Sequence, residues 1–252
     1  MAPTYRTEAI VLKKHKYGEA DNVLSLLTPA GGRVGAIAKG VRKTSSKFGG
    51  RLEPFGHIDV MLHRGRGSLQ TVTQVETIDS FEAIRADYDR LTHGAAVLEL
   101  LDRVAMEDHA DERLFGLALA TLRALSEAKG CHARIVAAFE LKLMAVIGYR
   151  PHTDRCVVCG AEGAGAYFSN KAGGVMCAGC AATDPGCTQV GANTLAHLNS
   201  LLGARMAQVQ NLEVSASCDD EIERLLRGFV TYHVQSRLKS REFLDRDEQT
   251  PA

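Results

Sequence analysis

The chain has 252 residues, of which 45% are hydrophobic and 24% charged, with 30 basic and 30 acidic side chains. This composition is ordinary for a globular protein, excludes a wholly disordered chain, and predicts one or two domains with a substantial core. No apolar stretch reaches the roughly 20 residues that a membrane span needs, and residues 1–16 lack a secretory signal pattern. We therefore expect a cytoplasmic protein with no membrane partner.

Residues 1–80 form the first predicted domain, with five short strands separated by turn signals such as Pro29-Ala30-Gly31-Gly32. Several of the strands alternate apolar and polar residues, which indicates half-buried strands. Five strands in about 75 residues favour a small barrel of the OB type. The predicted strands are Glu8–Lys16, Asn22–Thr28, Arg33–Lys39, His57–His63 and Leu69–Thr77.

Residues 81–252 form the second predicted domain, and no proline occurs between Phe55 and Arg150. Apolar residues recur there at intervals of three and four, which is typical of packed helices. Asp111 is the expected N-cap of the second helix. The predicted helices are Leu91–Met106, Glu112–Lys129, Ala133–Gly148, Ala192–Ala207 and Asp219–Arg237, and a cysteine-containing insert is predicted at residues 151–187. The expected fold class is thus α+β: a five-stranded OB-type barrel, then a helical domain carrying a four-cysteine insert.

Two C-x-x-C pairs lie in this insert, Cys156/Cys159 and Cys177/Cys180, and seventeen residues separate them. This spacing is typical of a structural zinc site, in which two tight turns direct four sulfurs at one ion. We predict one structural Zn²⁺, with His152 or Cys187 as less favoured substitutes for a ligand. Cys131 and Cys218 are expected to be buried thiols.

The charge is unevenly spread: residues 1–80 carry twelve basic and seven acidic side chains, and the rest carries eighteen and twenty-three. Between Asn22 and Leu52 there are six basic and no acidic residues. A cationic loop of this kind favours a nucleic-acid strand, because its charges release counterions from phosphates and the ring of Phe48 could stack on a base. The alternative is a solvated surface loop with Phe48 packed in the core. The candidate contacts are Arg33, Lys39, Arg42, Lys43, Lys47, Phe48 and Arg51, with Arg64 and Arg66 as a possible extension.

Catalytic motifs are missing from the sequence. It has no G-x-S-x-G, no phosphate-binding G-x-x-x-x-G-K-[ST] and no H-E-x-x-H. The His-x-Glu that a zinc-dependent nucleobase deaminase requires is also absent. We expect a protein that is not an enzyme, with no catalytic residues.

Three segments carry a resemblance to a known family. They are EAIVLKKHKYGEADNVLSLLT, AKGVRKTSSKFGGRLEPFGHIDVMLHRGRG and LQTVTQVE, and the paired cysteines match the zinc-bearing members. The chain resembles the bacterial RecO family over essentially its whole length. The resemblance implies DNA repair and recombination after DNA damage, with binding of single- and double-stranded DNA, annealing of complementary strands and location at the nucleoid. It also implies partnership with RecR, capture of the acidic tail of single-strand-binding protein, and loading of RecA onto DNA coated by that protein.

The same resemblance assigns DNA contacts to Lys39, Arg42, Lys43, Lys47 and Arg51, with Arg33 as a neighbour. The groove for the acidic tail would lie on the helical domain, with Arg123, Lys142 and Arg227 as possible rim residues. Two alternatives stay open. One is a zinc-ribbon adaptor that binds only protein. The other is a zinc hydrolase or nuclease, which would need an open metal position and a carboxylate pair near the cysteines.

Overall fold

The computed structural model describes residues 3–43, 46, 48–162 and 167–234. Two compact units meet in sequence between Glu127 and Ala128. The first unit contains the first five strands and the first three helices. The domain division predicted after residue 80 stays a prediction.

The first unit contains five strands: β1 (Thr4–Tyr17), β2 (Asp21–Thr28), β3 (Gly32–Ala38), β4 (His57–His63) and β5 (Gln70–Asp79). They form a closed barrel in the order β1-β2-β3-β5-β4. β1 is long enough to pair with β4 through residues 4–10 and with β2 through residues 10–17, and a bulge after Val11 breaks its register. Such a bulge bends a strand so that a small sheet can close. β3 and β5 are parallel, and the other neighbours are antiparallel. This confirms the OB-type prediction.

The barrel core follows from the period of two in each strand. In β3, Val34, Ala36 and Ala38 are buried, whereas the residues between them are partly exposed. Successive side chains of a strand point to opposite faces, so alternate positions line the interior. The inward residues of β1, β2 and β4 complete one apolar cluster.

Three helices follow the barrel in the first unit: α1 (Glu82–Ala86), α2 (Tyr88–Val104) and α3 (Glu112–Glu127). α2 packs against β1 and β2. Gly94 permits close approach, because a Cβ there would lie 2.8 Å from the Phe55 ring. The Asp111 carboxylate accepts a hydrogen bond from the Leu114 N–H at 3.0 Å, which confirms the predicted N-cap of α3.

The second unit is built around α4 (His132–Val146), which packs against the two later long helices and a 3₁₀ helix. Arg134 joins these elements: it forms an ion pair with Asp219 at 2.6 Å and donates to the Leu212 carbonyl at 2.7 Å. The remaining elements are β6 (Tyr167–Ser169), β7 (Gly174–Met176), α5 (Ala178–Ala181), β8 (Thr188–Gln189), α6 (Ala192–Gly203), the 3₁₀ helix (Met206–Asn211) and α7 (Ala216–Val234). A small sheet in the order β7-β6-β8 carries the cysteine region.

Candidate nucleic-acid interface and metal centre

The basic stretch between β3 and β4 is fixed to the barrel at three apolar positions. Phe48 and Leu52 are buried in the barrel cluster, at 3% and 2% exposure, and Val41 is partly buried against it. Between these positions the cationic side chains of Lys39, Arg42, Lys43 and Arg51 are exposed. We call the described part of this segment, residues 39–43, 46 and 48–51, the cationic loop. Burial of its apolar residues holds its charges outward. Lys47 lies outside the described residues.

The expectation that Phe48 offers an exposed ring is wrong. Its ring is sequestered among barrel residues, so it cannot stack on a base in this conformation. The alternative interpretation, a ring packed in the core, holds instead. The physical reason is that burial of a phenyl ring removes its apolar surface from water and so lowers the free energy of the folded state, whereas an exposed ring gives no such gain.

The cationic loop is fastened to the β1–β2 turn, residues 17–21. The Gly40 N–H donates to the Asp21 carboxylate at 2.7 Å, and the Arg42 N–H donates to the Ala20 carbonyl at 2.9 Å. The Arg42 guanidinium also donates to the Gly18 carbonyl at 3.1 Å. These bonds place loop and turn side by side at one end of the barrel. The turn was not part of the predicted site, although its Tyr17 and the preceding Lys16 are exposed.

The cationic loop contains basic residues and no acidic ones. Among the described residues, no ion pair involves Lys39, Arg42 or Lys43. Arg51 also donates to the carbonyl of Phe48 at 3.4 Å. The loop therefore presents a concentration of positive charge to solvent, as an anion-binding surface requires.

Arg33 does not belong to this surface. It is partly buried on β3, forms an ion pair with Glu107 at 3.0 Å, and donates to the Asp102 carbonyl at 3.3 Å. The positive charge of Arg33 is thus paired with a carboxylate of the first unit. The sequence places Arg33 in the same acid-free run as Lys39, but its partner Glu107 lies 74 positions away in the chain.

Arg64 and Arg66 are exposed in the β4–β5 turn. The Arg64 guanidinium lies 5.2 Å from the centre of the Tyr5 ring and 3.9 Å from the Asp108 carboxylate. Gln70 pairs with Ala36 in parallel register, so the turn before Gln70 lies toward the start of β3, whereas Lys39 follows its end. Arg64 and Arg66 form a second cationic group at the other end of β3 and do not adjoin the cationic loop.

The four predicted metal ligands converge in the second unit. The sulfurs of Cys156, Cys159, Cys177 and Cys180 all lie within 4.8 Å of one another, and those of Cys159 and Cys177 are 3.8 Å apart. A tetrahedral zinc–sulfur site with bonds of about 2.3 Å places its sulfurs about 3.8 Å apart. The cluster therefore has the ligand set and the compactness that one metal ion requires. In the described part of the chain it is the one group of three or more such ligands.

The local backbone explains this convergence. The first pair lies on a tight turn in which the Gly160 N–H donates to the Cys156 carbonyl at 2.9 Å, with Gly160 at a φ of 75°. Glycine adopts this left-handed conformation at little cost. The second pair brackets the start of the short helix α5, which follows directly after β7. Each pair is thus directed by a local turn, and the small sheet brings the two turns together.

The thiols of the cluster differ in proton affinity. Hydrogen bonds from the backbone N–H groups of Cys159 and Cys177 lower the pKa of the Cys156 thiol to about 6. Hydrogen bonding with the thiols of Cys177 and Cys159 raises the pKa of Cys180 to about 12. A metal ion that binds all four as thiolates must displace the protons that they still hold, so its affinity rises with pH.

The other cysteines and His152 stay outside the cluster. Cys187 donates to the Ala181 carbonyl at a sulfur–oxygen distance of 3.6 Å, and the backbone of His152 pairs with Gly174. Cys218 is buried, as predicted, but Cys131 is exposed, so the prediction for Cys131 is wrong. Cys131 adopts a left-handed conformation at the N-terminus of α4, which turns it outward.

The three possible rim residues for an acidic tail are not equivalent. Lys142 is partly buried and donates to the Leu202 carbonyl at 2.6 Å, and burial lowers the pKa of its ammonium group. Arg227 forms an ion pair with Glu223 at 3.2 Å. Arg123 is exposed and belongs to the first unit, whereas the other two belong to the second.

No helix in the described ranges is long and apolar enough to cross a membrane.

Both the N-terminal and the C-terminal part of the chain match known proteins. Residues 1–81 match the family model for the N-terminal part of recombination protein O, and residues 85–242 match the model for its C-terminal part. A DNA repair protein RecO from Nocardioides sp. is 40% identical over 247 residues, which is 96% of this chain and 99% of that protein.

Two further relatives carry the same name. The one from Pelotomaculum thermopropionicum is 37% identical over 98% of this chain and 96% of its own length, and the one from Alkaliphilus metalliredigens is 36% identical over 91% and 93%. Both coverage and identity extend across the barrel and the helical part. The chain therefore belongs to the RecO family of DNA repair proteins.

Proposed function

We propose that this protein binds single- and double-stranded DNA without sequence preference, anneals complementary strands and acts as a recombination mediator. The observation that carries the proposal is the cationic loop, whose Lys39, Arg42 and Lys43 are exposed and lack acidic partners among the described residues. Cations in this arrangement neutralise phosphates and release counterions, which drives binding whatever the base sequence.

Annealing places a further demand on the surface. It must neutralise two phosphate backbones that would repel each other while leaving the base edges accessible for pairing. A sequence-blind surface that contacts phosphates meets this demand, because phosphate contacts carry no base information. The second cationic group, Arg64 and Arg66, gives the same barrel another place to contact a backbone.

The proposed partners follow from membership of the family and not from a described interface. They are RecR, the acidic tail of single-strand-binding protein and, through the loaded filament, RecA. The proposed cofactor is one structural Zn²⁺ on Cys156, Cys159, Cys177 and Cys180. A four-thiolate site has no open coordination position, so the ion would stabilise the second unit and would not activate a substrate.

The test is a titration of a fluorescein-labelled oligothymidylate at several salt concentrations. Replacing Lys39, Arg42 and Lys43 together by Gln removes three phosphate contacts, each of which contributes about 0.7 to the salt slope. The slope should fall by about 2, and the affinity at 0.1 M salt by roughly 100-fold. A matched control replaces three helix arginines of the same unit, Arg103, Arg113 and Arg123, by Gln. It carries the same change in net charge and should bind within about twofold of the parent protein.

Two results would overturn the proposal. One is failure of the unaltered chain to bind oligonucleotides in dilute buffer, which would favour the protein-only adaptor. The other is equal loss of affinity in both triple variants, which would reveal a general effect of net charge. Annealing of complementary oligonucleotides, followed by fluorescence quenching, should decline in the loop variant in parallel with binding. A pull-down with intact and tail-truncated single-strand-binding protein tests that partnership separately.

A further inference from the structure

Tyr17 is the last residue of β1, and its side chain is 58% exposed. It packs in no part of the barrel cluster. No hydrogen bond among the described residues involves its hydroxyl group. A large aromatic side chain at this position therefore contributes little to the fold. Single exposed rings are common on protein surfaces, so exposure by itself does not indicate a function.

Tyr17 also lies at the turn that is hydrogen-bonded to the cationic loop. It pairs across the strands with Asp21, whose carboxylate accepts the Gly40 N–H of the cationic loop. Two further residues of the turn, Gly18 and Ala20, supply the carbonyls that accept hydrogen bonds from Arg42. The end of β1 that carries Tyr17 is thus joined by hydrogen bonds to the cationic loop.

The charge around the ring is predominantly positive. The turn and the strand and loop joined to it carry four exposed cations and one exposed acid, Glu19. Asp21, which is half-buried and accepts the Gly40 N–H, adds a second negative charge, but the cations still outnumber the acids. The cations are Lys16, Lys39, Arg42 and Lys43.

An exposed ring next to a cationic groove is the arrangement by which OB-type barrels hold single strands: the cations track the phosphates and the ring stacks on a base. The turn between the first two strands is one of the loops that such barrels use for this purpose. Duplex DNA offers no comparable contact, since its bases are already stacked on one another.

We propose that Tyr17 is the base-stacking residue of this surface and that it gives the protein a preference for single-stranded over double-stranded nucleic acid. The proposal rests on the proposed DNA-binding function and adds to it a residue that discriminates between the two forms. It assigns to Tyr17 the part for which the sequence favoured Phe48.

Tyr88 provides a matched control within the same unit. Its side chain is 60% exposed, nearly the same as that of Tyr17, but it begins α2 between Asp87 and Asp89. Acidic neighbours repel phosphates, so loss of this ring should not alter binding.

The experiment compares Tyr17→Ala, Tyr17→Phe and Tyr88→Ala in binding to an oligothymidylate and to a duplex of equal length. Loss of one stacking ring should weaken single-strand binding by about 5- to 150-fold. Duplex affinity should change by less than about twofold, and the salt slope should be unchanged, because no phosphate contact is lost. Tyr17→Phe should retain the parent affinity, since it keeps the ring. An oligonucleotide of abasic sites should bind the parent protein and Tyr17→Ala equally.

The two proposals fail in different ways. If the loop variant loses single-strand binding while Tyr17→Ala keeps it, the stacking assignment is overturned and the proposed function stands. An equal loss of single-strand and duplex affinity in Tyr17→Ala also overturns it. If the parent chain binds no oligonucleotide, the proposed function itself fails. Should Tyr17→Ala unfold, Tyr17→Thr removes the ring but keeps a β-branched residue that suits a strand end.

Discussion

Replacement of Phe48 separates a structural role from a DNA-contact role. Its ring is 3% exposed within the barrel cluster, beside Leu52 and the partly buried Val41. Truncating a buried phenylalanine to alanine costs about 3–5 kcal/mol, whereas a change to leucine, which refills most of the volume, costs less than about 1.5 kcal/mol. We therefore expect Phe48→Ala to destabilise the first unit strongly and Phe48→Leu to do so only mildly.

Urea unfolding followed by circular dichroism measures both costs, and oligothymidylate binding is then measured on the folded variants. Phe48→Leu should bind within about twofold of the parent protein, since it removes no exposed ring. Leu52→Ala, a change at the neighbouring buried position, should resemble Phe48→Ala in stability. The reasoning is refuted if Phe48→Leu is as stable as the parent and yet loses more than about tenfold in single-strand affinity at an unchanged salt slope.

Three further predictions concern the rest of the molecule. The purified chain should contain one zinc ion, and Cys159→Ser should lower the unfolding temperature of the second unit while oligonucleotide binding by the barrel persists; zinc-free protein of unchanged stability would contradict this. Burial raises the pKa of Asp102, but hydrogen bonds from Lys13 and Ser25 outweigh it and leave the pKa below the ordinary 3.8. The carboxylate thus contributes stability above pH 3.8 that is lost as the pH falls through its lowered pKa, and the stability difference between the parent and Asp102→Asn in urea titrations should shrink below about pH 4. Finally, Arg134→Met should destabilise the second unit by about 3–5 kcal/mol, because Asp219 is left without its partner. Adding Asp219→Asn should recover part of this loss in the same unfolding assay. A double variant that recovers none of it would contradict an ion-pair origin.

The metal cluster was predictable because its geometry is local. Two residues between cysteines fix each turn, and the spacing of seventeen residues leaves room for the β6–β7 hairpin that brings the turns together. The strand His57–His63 was likewise predicted with its observed bounds, since its alternation is regular. β1 is longer than predicted at both ends, because its polar first residues are held by β4 and not by burial.

The helical boundaries show where tertiary packing took over. The predicted helix Ala192–Ala207 is divided into α6, which ends at Gly203, and a 3₁₀ helix from Met206. The apolar pattern runs through both pieces, and the one local sign of the break is Gly203, a residue type common at helix ends. The short helix α1 was also missed, because five residues are too few to establish a period.

The candidate interface shows the same division most clearly. Local sequence determined that the basic residues between β3 and β4 form an acid-free run, and therefore that this segment is cationic. It could not distinguish Arg33, which is paired with Glu107, from Lys39, which has no acidic partner among the described residues.

Nor could the sequence by itself decide which aromatic ring faces solvent. Phe48 lies among charges in the sequence and is buried, whereas Tyr17 ends a strand and is exposed. Spacing along the chain fixes local turns and the sign of charge in a segment. Burial and ion pairing depend on residues that lie tens of positions apart, and only the closed barrel and its helices bring those together.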